Sequence, residues 1–301
     1  DSILKHSHRG RIHAEIHQMR SDQGGTVTGR FSYSNPNLQQ IPARNAILGP
    51  LIRSIFIPEK NCEWGIFDYS QQEPRLIAHY ASMKTFQGAT KFVEAYQDDD
   101  TTDFHSLVAD LADIPRKQAK TINLGLFYGM GKGKLMSQLG VDLETATELL
   151  AAYHERVPFV KQLMNDTMNK AGKKGYLRTL LGRKCRFDLW EPTNEWGSKA
   201  LPFKEAKDEY GESMIKRAWT YKALNRLIQG SAADQTKQAM VNLYKEGYLA
   251  HIQVHDELDF SITDKQQEKK IKEIMESCVD LLVPSRVDVE LGDSWGNAGT
   301  A

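Results

Sequence analysis

Residues 116–129 read RKQAKTINLGLFYG, and four of them recur at every fourth position: Arg116, Lys120, Leu124 and Tyr128. On a helix, this spacing places two cations, one apolar side chain and one phenol along a single face. Two cations one turn apart suit an anion with several charges, such as a triphosphate. A solvated basic face is the plainer interpretation of the same pattern. The rest of the chain has to decide between the two.

The composition is that of a globular protein without a global charge field. The 301 residues include 39 Lys plus Arg and 39 Asp plus Glu, so binding to a polyanion must depend on local patches. Cys62, Cys185 and Cys278 are far apart and favour reduced thiols in a cytosol-like compartment. No apolar run approaches the roughly 18 residues of a membrane span, so we expect no membrane attachment. The chain begins with Asp1 in mid-pattern, which is typical of a fragment or a processed product.

The apolar pattern predicts strands and helices around these polar motifs. Residues 63–70 (EWGIFDYS) are typical of a buried strand, and residues 249–262 of two short strands around a polar turn. Helices are predicted over residues 75–83 and over residues 216–246. Residues 188–213 are irregular and mixed in charge, and we interpret them as an excursion from the main fold.

Three carboxylates lie at the ends of predicted strands. Asp68 ends the first strand, and Asp256 and Glu257 occupy the turn of the later hairpin. Carboxylates at the ends of adjacent strands form a natural site for hard divalent cations. Two such ions can clamp the attacking and leaving oxygens of a phosphoryl transfer. The alternative is a polar hairpin turn and an unrelated strand end, which only the fold can exclude.

Six segments resemble, in order, the motifs of the DNA polymerase I family, family A. The similarity covers essentially the whole chain, and each segment alone is a weak signal. Motifs A, B and C correspond to residues 68–81 (DYSQQEPRLIAHYA), 116–131 (RKQAKTINLGLFYGMG) and 254–258 (VHDEL), and the other matches are residues 28–42 (TGRFSYSNPNLQQIP), 224–237 (LNRLIQGSAADQTK) and 291–298 (LGDSWGNA).

The resemblance implies an α+β chain with the right-hand polymerase fold. An antiparallel palm sheet would come from residues 1–75 and 222–301, and helical fingers from residues 76–221. The thumb is expected to be absent from this chain. The thumb and any 3′–5′ exonuclease would then lie on another chain or on a missing part of the same product.

The resemblance also implies a set of catalytic residues. Asp68 and Asp256 would hold two magnesium ions, for which manganese can substitute, with the backbone carbonyl of Tyr69 as a further ligand. Glu257 would support this site. Lys120 would be the general acid for the pyrophosphate leaving group, which suits a transition state with charge spread over phosphoryl oxygens.

The same resemblance assigns the incoming dNTP to eight residues: Arg116, Lys120, His105, Tyr128, Leu124, Glu73, Tyr69 and Gln71. The two cations and His105 would contact the triphosphate, although a satisfied helix histidine is the alternative for His105. Tyr128 would lie near the nascent base pair. Glu73 would be the sugar gate that closes the space needed by a ribose 2′-hydroxyl, with a hydrogen bond to Tyr128.

Leu124 departs from the family, which usually carries Phe or Tyr at this position against the incoming sugar. Arg30, Asn225, Gln229 and His255 are the DNA-binding candidates near the primer terminus. Most of them would touch minor-groove acceptors, which are common to all base pairs and therefore test pair shape without reading sequence.

The leading interpretation is an enzyme, a DNA-directed DNA polymerase that extends a primer on a template as part of a larger or split replicative polymerase. A single-subunit RNA polymerase is a second hypothesis, disfavoured by Glu73, which would reject ribonucleotides. A catalytically silent DNA-binding subunit is a third. The expected partners are primer–template DNA and dNTPs. The expected location is the cytoplasm of a bacterium or a phage-infected host, with an organelle as the alternative.

Overall fold

The computed structural model describes residues 3–20, 24–42, 45, 47–127, 132–195 and 197–299. The chain divides into two compact units. The first unit, here called the sheet unit, comprises Asp1–Gln72 and Ala232–Ala301, and the second, the helical unit, comprises Glu73–Ser231. The boundaries predicted after residues 75 and 221 compare with divisions after Gln72 and Ser231, and the assignment of the units to palm and fingers remains a prediction.

The helices contain more residues than the strands. They are α1 (Leu48–Arg53), α2 (Gln72–Met83), α3 (Ala89–Asp98), α4 (Phe104–Ala112), α5 (Arg116–Phe127), α6 (Lys132–Leu139), α7 (Leu143–Arg156), α8 (Pro158–Lys174), α9 (Phe203–Tyr210), α10 (Ala223–Lys245) and α11 (Lys265–Glu276).

The strands are mostly short and pair in antiparallel fashion. They are β1 (Ser7–His8), β2 (Arg11–Ile12), β3 (Glu15–His17), β4 (Ser32–Ser34), β5 (Glu63–Tyr69), β6 (Tyr176–Arg178), β7 (Lys184–Arg186), β8 (Leu189–Pro192), β9 (Leu201–Pro202), β10 (Ile215–Arg217), β11 (Ile252–Val254), β12 (Glu257–Ile262) and β13 (Val287–Gly292).

A four-stranded antiparallel sheet of order β11-β12-β5-β13 forms the centre of the sheet unit. Its side chains alternate strictly between two faces. On one face Phe67 lies opposite Leu258 and Val289, and this apolar face packs against α10 and α11 through residues such as Leu243 and Ile271. The other face therefore receives the residues in between, which include most of the carboxylates of these strands.

A cluster of aromatic rings forms part of the core of the helical unit. Phe104 at the start of α4 contacts Phe92, Phe127 and Phe159, with ring centroids 5.0, 5.9 and 6.4 Å away. These rings come from α3, α5 and α8. The cluster therefore fixes α4 against α5, the two helices that carry the predicted phosphate-binding residues.

Several element predictions are confirmed. Residues 63–70 contain β5 (Glu63–Tyr69), residues 75–83 lie in α2, and residues 249–262 contain the hairpin of β11 and β12. The prediction that residues 188–213 are irregular is wrong, because β8, β9 and α9 lie within them, and β8 and β9 join β10 in a three-stranded sheet. The helix predicted from residue 216 begins only at Ala223, since the preceding residues pair as β10. Within the described parts of the chain, none of the helices combines the length and apolar character needed to cross a membrane.

Candidate active site

The end of β5 carries a cluster of carboxylates drawn from three neighbouring strands. Asp68 pairs with Glu257 on β12 and with Asp288 on β13. Since residues directly opposite in an antiparallel pair share a face, these three side chains point to the same side of the sheet. Asp256 immediately precedes β12, and its charge acts on Asp68. The fold thus brings together two aspartates that are distant in sequence.

The surroundings of Asp68 strongly disfavour the ionised form of its carboxyl group. Burial by the protein around it, then the charges of Asp256 and Glu257, and then those of Asp288 and Glu290 raise the pKa of Asp68 to about 8. The side chain nevertheless reaches solvent at the strand end. Repulsion among neighbouring carboxylates raises a pKa because each negative charge disfavours the next. A proton or a cation is needed here at neutral pH.

Asp256 is anchored through its backbone. Its carbonyl oxygen accepts a hydrogen bond of 3.3 Å from the amide of Tyr69, which ties the turn to the end of β5. Burial raises the pKa of the Asp256 carboxyl, and the charges of Arg30 and His255 partly offset this increase. His255 holds a left-handed backbone with φ of 58° in the same turn. Two predicted DNA-binding residues therefore lie beside a predicted catalytic carboxylate.

Glu257 is held by an aromatic side chain from the end of the chain. Trp295 Nε1 donates a hydrogen bond of 3.1 Å to Glu257 Oε1, and the guanidinium carbon of Arg53 lies 4.2 Å from the centroid of the Trp295 ring. Burial raises the pKa of Glu257, and Arg53 counteracts part of that increase. Asp259, on the same face, is completely buried, and burial followed by the charge of Glu257 raises its pKa well above the usual range.

Tyr69 can serve the predicted site only through its backbone. Its hydroxyl donates a hydrogen bond of 2.7 Å to the carbonyl of Met275 and lies 3.4 Å from Cys278 Sγ, so the ring is packed in the core. Its side chain is therefore not available to a nucleotide, which leaves the carbonyl predicted as a metal ligand. Gln71 follows closely with a left-handed backbone (φ 52°) and a half-buried side chain.

In the helical unit, α5 presents the predicted cations near the start of α4. Arg116 Nε donates a hydrogen bond of 2.7 Å to Asp103 Oδ2, and Asp103 caps α4 by accepting one of 2.9 Å from the amide of Ser106. Burial alone would raise the pKa of Asp103, but the hydrogen bonds from Arg116 and Ser106 lower it to about 2. Lys120, one turn further on, is exposed.

The remaining members of the α5 stripe differ in exposure. Leu124 is half-buried, between the exposed Lys120 and the buried Phe127 at the helix end. Tyr128 lies outside the described residues, so its predicted place near the base pair and its hydrogen bond to Glu73 stay predictions. Glu73 itself is half-buried in the first turn of α2.

His105 lies at one end of a buried polar chain. The side chain is 7% exposed, and its Nδ1 lies 2.9 Å from Asn123 Nδ2. The hydroxyl of Tyr153 donates a hydrogen bond of 2.5 Å to Asn123 Oδ1. Burial lowers the pKa of His105, the charge of Asp103 partly offsets this decrease, and the charges of Lys120 and Arg116 add to it. The three residues predicted to contact the triphosphate are thus electrostatic neighbours.

The two remaining DNA-binding candidates lie on α10. Asn225 and Gln229 are one turn apart and both half-buried, so that they share a face of the helix. Their predicted contacts with the primer–template stay predictions.

The sequence interpretation missed five residues around these groups: Asp103, Asn123, Tyr153, Asp259 and Asp288. Asp103 had a visible signal, since an Asp three residues before a Ser at a helix start is typical of an N-cap. The others had none, because strand order and helix neighbours depend on pairing between distant segments.

Comparison with known proteins gives one consistent answer. The pattern that defines DNA polymerase family A matches residues 1–297. A DNA-directed DNA polymerase of Pseudomonas phage M6 is 36% identical over an alignment of 345 residues. The alignment covers 99% of this chain and 48% of that protein. The thermostable DNA polymerase I of Thermus aquaticus is 32% identical over 311 residues, covering 98% of this chain and 34% of that protein.

A solved structure is similar over the same extent. The POL domain of Pol1 from M. smegmatis, in complex with DNA primer–template and dNTP, has a TM-score of 0.78 and 31% sequence identity, and the match covers 99% of this chain and 50% of that one. The chain spans about half or less of the length of these relatives. The sequence match, the antiparallel sheet and the carboxylate cluster agree, and the chain belongs to DNA polymerase family A.

Proposed function

We propose that this chain carries out template-directed DNA synthesis, transferring deoxynucleotides from dNTPs to the 3′ end of a primer. The observation that carries the proposal is the carboxylate cluster in which Asp68 and Asp256 lie together at the end of the central sheet. Family membership supports it, because the relatives that match nearly the whole chain bear DNA polymerase names. The cations of α5, Arg116 and Lys120, would bind the negatively charged triphosphate.

The carboxylate cluster has the donor chemistry of a magnesium site. Among the described residues, no three His, Cys, Asp or Glu side chains form a ready-made metal group. Magnesium is commonly held by one or two carboxylates together with substrate phosphates and water, so a pair of aspartates still fits. We propose that Asp68, Asp256 and the carbonyl of Tyr69 hold two Mg²⁺, or Mn²⁺ in their place. When bound, such ions polarise phosphoryl oxygens and neutralise developing charge.

The residues of α4 and α5 would bind and protonate the triphosphate. The exposed guanidinium of Arg116 and ammonium of Lys120 suit the phosphate oxygens, and His105 would add a neutral donor. Lys120 would also supply the proton that the pyrophosphate leaving group takes up as the bond to the α-phosphorus breaks. Asp103 would hold Arg116 in place until phosphate replaces it as the partner.

The nucleotide and DNA roles complete the proposal. Glu73 would exclude the ribose 2′-hydroxyl, and Gln71 would line the same nucleotide site. Arg30 and His255 would approach the primer terminus beside Asp256, to which their charges couple. Asn225 and Gln229, on one face of α10, would contact the primer–template.

Two other functions are separated from this one by specific tests. A single-subunit RNA polymerase would accept ribonucleotides, and Glu73→Ala would not change its sugar preference. A silent DNA-binding subunit would retain its function in Asp256→Asn. We also propose that a thumb and any exonuclease act from another chain or another part of the product, because the relatives are about twice as long or longer.

Primer extension with Mg²⁺ tests the central proposal. We expect extension by the wild-type chain, with and without the upstream segment supplied separately. Asp256→Asn and Asp68→Asn should each reduce the rate by about 100-fold or more. Asp280→Asn, at an exposed position in the same unit, is the matched control and should extend like wild type. Unchanged extension by Asp256→Asn would refute the proposal.

A further inference from the structure

Three buried polar side chains form one directional chain beside the predicted triphosphate site. Tyr153 and Asn123 have no exposed surface, and His105 has 7%. Tyr153 Oη lies 2.5 Å from Asn123 Oδ1, and Asn123 Nδ2 lies 2.9 Å from His105 Nδ1. They come from α7, α5 and α4 respectively. A polar chain this deep in a protein is costly unless each donor meets an acceptor.

The direction of the hydrogen bonds fixes the imidazole tautomer. The phenol of Tyr153 donates a hydrogen bond to the amide oxygen of Asn123, so the amide nitrogen faces His105 as a donor. A nitrogen that receives a hydrogen bond carries no proton in a neutral imidazole, and the other ring nitrogen then carries it. Burial lowers the pKa of His105, the charge of Asp103 raises it, and the nearby cations Lys120 and Arg116 lower it, so that on balance the neutral imidazole is favoured. The proton must therefore be on Nε2.

A triphosphate offers only hydrogen-bond acceptors to the groups that bind it. The tautomer of His105 therefore decides whether the ring attracts or repels a phosphate oxygen. With the proton on Nε2, the ring donates a hydrogen bond to a phosphate oxygen. With the proton on Nδ1, it would turn a lone pair toward that oxygen and repel it. Among the described residues, no partner of Nε2 is found, and the residue as a whole retains a small exposed surface.

We propose that Asn123 and Tyr153 are positioning residues that lock His105 in the Nε2–H tautomer and so make it a hydrogen-bond donor to the nucleotide triphosphate. The inference rests on the proposed function for the ligand of His105. The tautomer itself does not depend on that function. In general the orientation of a functional imidazole is set by the partner of its other nitrogen.

Nitrogen chemical shifts test the tautomer directly. In protein labelled with ¹⁵N-histidine, we expect His105 to show a protonated Nε2 and an unprotonated Nδ1. Asn123→Asp replaces the amide donor by an acceptor of almost the same shape, and the proton should move to Nδ1. A wild-type His105 with the proton on Nδ1 would overturn the proposal, whether or not the chain is an active polymerase.

Steady-state kinetics test the consequence for the nucleotide. Asn123→Asp should raise KM for dNTP about 10-fold or more, the usual effect of losing a hydrogen bond to a charged group, with a smaller change in kcat. Tyr153→Phe should give a smaller increase, since the amide can still face His105. In a His105→Ala background, Asn123→Asp should add little, because the residue through which it acts is gone.

The background variant separates tautomer control from charge repulsion. If the new carboxylate simply repels the triphosphate, Asn123→Asp will raise KM as much in His105→Ala as in wild type, and the proposal fails. Asn165→Asp, an exposed position on α8, is the matched control for the added charge. If wild type shows Nε2–H but no primer extension, the proposed function fails and the tautomer assignment stands.

Discussion

A carboxyl group without exposed surface lies two positions beyond Glu257 on β12. The pKa of Asp259 is raised well above its usual range, mainly by burial and then by the charge of Glu257. A carboxyl whose folded pKa exceeds its unfolded value contributes full stability below the unfolded pKa of about 4, and that stability is lost as the pH rises toward the folded pKa. The ionised form therefore weakens the fold at neutral and alkaline pH.

Asp259→Asn should remove this loss, because the amide has the shape of the protonated acid and no charge. We expect the melting temperature to rise by about 4 °C or more near pH 8 and to change little near pH 4. Calorimetry at both pH values, with the exposed Asp280→Asn as the control, measures the difference. An equal shift at the two pH values would show that ionisation is not the cause.

Leu124 is the residue at which this chain departs from its family, where Phe or Tyr is usual. Its aliphatic side chain keeps an apolar wall but offers no hydroxyl to replace a missing 3′-hydroxyl. We expect wild type to discriminate against dideoxynucleotides, and Leu124→Tyr to reduce that discrimination about 10-fold or more. Competition between ddNTP and dNTP in primer extension measures it. Leu124→Phe, which lacks the phenol, should behave like wild type, and equal discrimination by all three would contradict the prediction.

At the scale of the element, β5 leaves no room for a side chain at Gly65. Gly65 lies opposite Phe260, and a Cβ atom built on it would come within 2.6 Å of Ile262 Cγ1 and 3.0 Å of Phe67 Cε2. The side chain of residue 262 is part of the apolar core and cannot move freely. The strand therefore needs a glycine for close packing, although its backbone is ordinary.

Gly65→Ala should lower the free energy of unfolding by about 1–3 kcal/mol through overpacking. Gly133→Ala is the opposite case, because it lies in α6 with nothing within 4 Å of the new methyl group. That substitution should raise the free energy of unfolding by about 0.5–1 kcal/mol through helix propensity. Urea titration compares the pair, and a stabilising Gly65→Ala would disprove the packing argument.

Elements with a long, regular pattern could be predicted from the sequence, and those with a short one could not. The seven-residue β5 and the helix after it have clear apolar runs. The two- to four-residue strands β8, β9 and β10 are too short to show a period, so residues 188–213 looked irregular. The start of α10 was misplaced because residues 215–217 pair with a strand instead of continuing the helix.

At the scale of the whole molecule, the balance of charge bears on the DNA binding proposed for this chain. The chain has equal numbers of basic and acidic residues, and many carboxylates are concentrated on one face of the sheet. Duplex binding gains affinity from neutralised phosphates and released counterions. We expect the affinity of this chain for primer–template to fall by much less than about 10³-fold between about 50 and 200 mM salt, the loss typical of six or more phosphate contacts.

Fluorescence anisotropy with a labelled primer–template measures that salt dependence. The same measurement is then made with the upstream segment of the longer relatives added. Adding that segment should make the affinity fall more steeply with salt. A drop of about 10³-fold or more for the chain alone would mean that its local basic patches already make a full set of phosphate contacts, contrary to this prediction.

Part of the candidate site could be predicted from the sequence, and as with the fold, this was the part that depends on local patterns. Motif residues such as Asp68, Asp256 and Arg116 were identified by their types and order. Their partners Asp288 and Asn123 were not, because each becomes a neighbour only through pairing of distant strands or packing of separate helices. A local sequence pattern does not show which distant residues become neighbours in the fold.

The strict alternation of faces in β5 and β12 also restricts how the sequence of this chain can diverge. An insertion or deletion of one residue within Glu63–Tyr69 would turn Asp68 toward the apolar helices and Phe67 toward the carboxylates, since each step along a strand reverses the side chain. Substitutions can accumulate there one at a time, but a change in length would destroy the site and the core together. Length variation among descendants of this chain should therefore be confined to loops and to segments such as residues 188–213.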